Sequence, residues 1–142
     1  YVWHWLSANS RHGVHSPFVY ALVDEAIYGT QKLEQITLPE SLQKQAPKVQ
    51  AMLRRVVQAH RSPVDFEKVI VIDGPNTQAS LLAEPKPNAL LIVLGIYDSP
   101  EHKKQWKLIQ ANPAVTVTID LFYVGLVYFR EGQAKEDFKI RF

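Results

Sequence analysis

KVIVIDG, residues 68 to 74, is a continuous β-branched run that stops at Asp73-Gly74. NALLIVLGI, residues 88 to 96, is a second run of the same kind. Neither alternates apolar with polar residues, and a run without alternation suggests a strand buried on both faces, as in a parallel sheet. Residues 77 to 83 leave room for a short helix between them, broken by Pro85 and Pro87. After the second run, Asp98-Ser99-Pro100 opens another helix, with Asp98 or Ser99 as cap and Pro100 in the first turn. Trp106 and Ile109, with Leu108 beside them, give that helix an inner face.

Toward the C-terminus, Asn112-Pro113 ends this helix. VTVTIDL, residues 115 to 121, and VGLVYFR, residues 124 to 130, then follow each other too closely for a crossover helix, so they are expected to pair antiparallel. Glu131-Gly132 turns the chain, and FKIRF, residues 138 to 142, alternates like a last edge strand. Toward the N-terminus, Val2, Trp3 and Leu6 fit a turn or two of helix, and Gly13 breaks it. Ser16-Pro17 starts a helix whose apolar residues, Val19, Leu22, Val23, Ala26 and Ile27, recur at helical spacing until Gly29. Residues 41 to 60 form the longest amphipathic stretch, with a kink or restart expected at Pro47. The layout is α/β, with a parallel part and an antiparallel edge.

Composition bounds the rest. The chain of 142 residues fits one domain, read as a helical N-terminal part over 1–60 and an α/β part over 65–142. Cysteine is absent, which excludes disulfides, thiolate metal sites and cysteine nucleophiles together. The formal charge is +2 with no dense Lys/Arg run, and Lys44, Lys48, Arg54 and Arg55 read as a solvated helix face, so nucleic acid is not expected. The longest apolar runs, 89 to 94 and 121 to 129, fall far short of the ~20 residues of a membrane span, so no membrane is expected. Trp3 and Trp5 follow no basic start and no apolar core forms around them, so no signal peptide is read and a cytoplasmic place is expected.

Ligands of open α/β sheets sit at the carboxyl ends of the strands. Asp73 stands at one such end, and Gly95, Tyr97 and Asp98 at the next. A carboxylate there can bind a metal, orient a hydroxyl or act as a base; it can equally cap a helix or turn the chain with Gly74. Phosphate loops of the G-x-G-x-x-G and G-x-x-x-x-G-K-[ST] types are missing, because the glycines at 13, 29, 74, 95, 125 and 132 are too far apart. The histidines at 4, 12, 15, 60 and 102 offer one close pair, His12-x-x-His15, and a zinc site needs two more ligands, so no metal is expected.

RHGVHSPFVY, residues 11 to 20, resembles the N-terminal segment of bacterial, Bacteroidetes-type class I S-adenosylmethionine-dependent methyltransferases. VIVIDGPN and NALLIVLGIYDSPEHKKQW resemble two successive strands of that family, and residues 112 to 142 resemble its C-terminus most closely. The likeness covers 11 to 28 and 65 to 142. It implies a reduced Rossmann-type methyltransferase-like sheet with N-terminal helices and an antiparallel C-terminal strand pair. The family's first strand and Gly-rich cofactor loop are not found, so the chain is read as a shortened or degenerate member.

The resemblance alone implies S-adenosylmethionine and methyl transfer to an unknown small or macromolecular acceptor. It carries over Asp73 as a catalytic residue near that acceptor. Arg11, His12, His15, Asn76, Tyr97 and Asp98 are the expected acceptor or partner surface. The alternative is a non-catalytic interaction or scaffold domain derived from the same fold. Loss of inner strands would expose a sheet edge, which dimerisation or the N-terminal helices are expected to cover.

Overall fold

The computed structural model describes residues 2–7, 16–29, 36–60, 68–75 and 89–141. Helix α1 spans Val2–Ser7. Helix α2, Pro17–Leu22, starts at Ser16, whose side chain caps the Val19 N–H, and runs on as a π-helical turn over Val23–Ile27. An unbroken α-helix was expected from the apolar spacing. The wider turn is closed by Tyr28 N–H on the Val23 carbonyl at 2.8 Å, while the Ala26 and Ile27 carbonyls accept from Arg55 at 2.7 and 3.3 Å. One member of the expected solvated basic face is thus a cap for a neighbouring helix. Helices α3, Glu40–Gln43, and α4, Pro47–His60, are separate, as a proline in the pattern demands.

The strands are β1 Lys68–Ile72, β2 Ala89–Leu94, β3 Val117–Asp120, β4 Val124–Tyr128 and β5 Glu136–Lys139, with α5, Pro100–Ala111, between β2 and β3. They form one five-stranded sheet in the order β1-β2-β4-β3-β5. β1 and β2 are parallel, and β3 and β4 form the antiparallel hairpin expected of them. β4 also pairs antiparallel with β2, and β5 pairs parallel with β3. The antiparallel strand is therefore inside the sheet and not at its edge. Because β4 lies between them, β2 and β3 point the same way, and β1, β2, β3 and β5 all end on one side.

Both faces of the sheet are covered. Leu90, Ile92, Leu94, Val117, Ile119, Leu126 and Tyr128 meet Val19, Leu22, Leu42, Met52, Leu53 and Val56 of the N-terminal helices. Ile72, Leu91, Val93 and Val127 meet Trp106 and Ile109 of α5 on the other face. Full burial of each such side chain contributes about 1.5–3 kcal/mol. The N-terminal helices cover a face of the sheet, including Val69 and Val71 of β1, where cover for an edge was expected. All of β2 is buried, as its unbroken run implies. In β1 only Ile72 is fully buried, because that strand has a single strand neighbour among the described residues. Leu108 is 60% exposed and belongs to the outer side of α5. The expected helix over 77–83 and the break at Arg61-Ser62-Pro63 lie outside the described residues. No described helix is long and apolar enough to cross a membrane.

Candidate functional site

The carboxyl edge of the sheet gathers the chemistry. Asp73 follows β1 and is exposed. Its neighbour Gly74 has φ 95°, a value that favours glycine, and its carbonyl accepts from Gln105 Nε2 of α5 at 3.1 Å. Gln105 is buried, so the turn that presents Asp73 is tied to the helix behind it.

After β2 the chain makes a tight turn, closed by Asp98 N–H on the Gly95 carbonyl at 2.9 Å. Gly95 has φ 61°, and the exposed Asp98 carboxylate folds back over it into the space that a Cβ would need. Ser99, not Asp98, caps α5: its hydroxyl accepts from the His102 N–H at 3.2 Å. Tyr97 is half-buried, and its hydroxyl donates to Asp120 Oδ2. Burial first, and the Asp120 carboxylate second, push the Tyr97 phenol well above its ordinary value. Lys103 Nζ stands 6.0 Å from the centre of its ring.

Asp120 ends β3 and is 3% exposed. Its Oδ1 accepts from the Phe122 backbone N–H at 2.9 Å, a short side-chain turn that aspartate is suited to make. The same oxygen lies 2.8 Å from His4 Nε2 of α1. A carboxylate only accepts, so Nε2 carries the proton. Phe122 has φ 69°, the one positive value at a non-glycine among the described residues. A bulky side chain there costs about 1–3 kcal/mol and persists only where its surroundings hold it. Here they do. The Phe122 ring stacks on Tyr97 at 5.3 Å and meets His4 edge-on at the same distance, and Gly95 N–H holds the Tyr123 carbonyl at 3.0 Å.

Three of the expected site residues thus share one edge: Asp73, Tyr97 and Asp98. The hydrogen bond of Tyr97 goes to Asp120 and not to either of the other two. Arg11, His12, His15 and Asn76 lie outside the described residues. Sequence reasoning passed over His4, Asp120 and Phe122. The available signal was the Asp at the end of the β3 run, the same signal that singled out Asp73. Among the described residues no group of three or more His, Asp or Glu side chains is placed to hold a metal ion. No protein-family model, curated protein or solved structure matches this chain.

Proposed function

We propose that the chain is a methyltransferase-like α/β domain that binds a ligand or partner at the carboxyl edge of its sheet and does not complete methyl transfer by itself. The observation that carries this reading is the convergence of Asp73, Tyr97-Asp98 and Asp120 from three parallel strands on one edge, where open α/β sheets hold ligands. The slotting of β4 between two parallel strands supports the Rossmann-type relationship that the sequence resemblance implies.

The residues present do not fit S-adenosylmethionine. Holding such a cofactor takes closely spaced glycines after a strand, and the glycines here are single. At Gly95 the space a cofactor would approach is filled by the Asp98 carboxylate. Asp73 and Asp98 both have exposed carboxylates outside the Tyr97–Asp120 network; that of Asp98 is folded over Gly95, which leaves Asp73 for a ligand's hydroxyl or amine.

The second reading is an S-adenosylmethionine-dependent enzyme with Asp73 beside the acceptor. Its support is the likeness of residues 11 to 28 and 65 to 142 to that family. Calorimetric titration with S-adenosylmethionine and S-adenosylhomocysteine separates the two. The first reading expects no heat at high protein concentration. Saturable binding of either compound would overturn it and restore the enzyme.

A further inference from the structure

The ring that fills the Asp120 cluster comes from far along the chain, since His4 and Asp120 are 116 residues apart. His4 is buried, whereas the other described side chains of α1 are not: Val2 is 69%, Trp3 83% and Leu6 63% exposed. α1 has six residues, well below the length at which a helix holds itself in water. Among the described side chains of α1, His4 is the buried one, and its ring reaches the body of the protein at Asp120.

The receiving side is built differently. Asp120, Tyr97 and Phe122 sit at the ends of β2 and β3, on the edge where this kind of sheet holds ligands. The Asp120 carboxylate is fixed by the Tyr97 hydroxyl on one oxygen and the Phe122 N–H on the other. The Phe122 backbone is held in a conformation unfavourable for its side chain, and such residues cluster at binding sites. The His4 ring meets Phe122 at 67° and Tyr97 at 73°, edge-to-face with both.

We infer that Asp120, Tyr97 and Phe122 form a site for a planar nitrogen heterocycle with a ring N–H, and that His4 occupies this site from within the chain. The carboxylate accepts the ring N–H, and the stacked aromatic pair forms the wall. α1 is then an intramolecular competitor of the ligand. An aliphatic amine supplies a donor but no ring for the aromatic wall. The inference rests on the carboxyl edge being the ligand edge; it does not require methyl transfer.

Imidazole is the probe. Binding to the full chain and to His4→Ala is measured by calorimetry at neutral pH. Removing an internal occupant raises affinity by the reciprocal of the open fraction, so His4→Ala is expected to bind imidazole at least about tenfold more tightly than the unaltered chain. Asp120→Asn in the His4→Ala background is expected to reverse that gain. In the unaltered chain, amide hydrogen exchange over α1 is expected to accelerate as imidazole loads, and not with ethylamine at equal concentration. Equal affinity with and without His4, or a gain that survives Asp120→Asn, overturns the inference. Where His4→Ala does not fold, the exchange experiment decides: unchanged α1 exchange at the highest imidazole concentration overturns it. Heat from S-adenosylmethionine in the same apparatus bears only on methyl transfer, so the two readings fail separately.

Discussion

Gly125 lies in the middle of β4, and the six-membered ring of Trp106 rests directly on its Cα. A Cβ at this position would fall well inside van der Waals contact with Cη2 and Cζ3, with Cε3 at 3.1 Å. Restoring ordinary carbon–carbon contact requires a shift of roughly 1 Å. Little there can shift. Trp106 is 3% exposed and sits among Ile72, Val93, Ile109 and Val127, while Gly125 is locked by pairing to both β2 and β3. Overpacking of this kind costs about 1–3 kcal/mol. Replacing glycine also lowers the entropy of the unfolded chain, which returns about 0.4–1 kcal/mol. Gly125→Ala is therefore expected to destabilise by about 1–2 kcal/mol, read as a lower midpoint at unchanged slope in urea denaturation. The cause is checked by a double-mutant cycle with Trp106→Phe, which removes the offending ring atoms. In that background Gly125→Ala is expected to cost much less, with a coupling of at least about 0.5 kcal/mol. Strictly additive effects would refute the assignment of the clash to the indole.

Alkaline pH and helix capping give two further tests. The phenols of Tyr97 and Tyr128 are both raised in the folded chain, chiefly by burial. The unfolded chain releases these protons near the ordinary value of 10.0, while the folded chain still holds them. Their stabilising share is complete below that pH and is lost as pH rises above it. Urea midpoints across this range are expected to fall, and Tyr97→Phe to make the fall shallower; an unchanged slope would count against a raised Tyr97 phenol. Arg55→Met keeps the apolar stem but removes the bonds to the Ala26 and Ile27 carbonyls. At this half-buried position the loss is expected to be about 1–2 kcal/mol in denaturant melts, and a neutral result would show that water replaces the guanidinium.

The fold was legible where local chemistry decides it. Ser16-Pro17 and Ser99-Pro100 mark helix starts that the structure has, Pro47 separates two helices, and the short link after Leu121 makes a hairpin. The two apolar runs became neighbouring parallel strands. Their unbroken character did not reveal that β1 is half-covered, because hydrophobicity cannot tell a central strand from one that, among the described residues, has a single neighbour. The site was half legible for a topological reason. A hairpin read in isolation shows only that β3 and β4 are antiparallel. Whether β3 or β4 docks on β2 is decided by long-range packing, and β4 does so. That choice turns β3 parallel to β2 and brings Asp120 to the edge already holding Asp73 and Tyr97. Had β3 itself paired antiparallel with β2, Asp120 would stand at the opposite end from them. His4 carried no signal at all, since nothing local links position 4 to position 120.

The same separation has a consequence for the chain as it is made. Synthesis runs at about 5–20 residues per second, so the 116 residues between His4 and Asp120 take on the order of ten seconds to appear. During that interval the His4 imidazole has no carboxylate to receive it, and α1 stays undocked. The clasp needs Asp120 and the Phe122 turn in place, which makes it a late event of folding and a reporter on the β3–β4 turn.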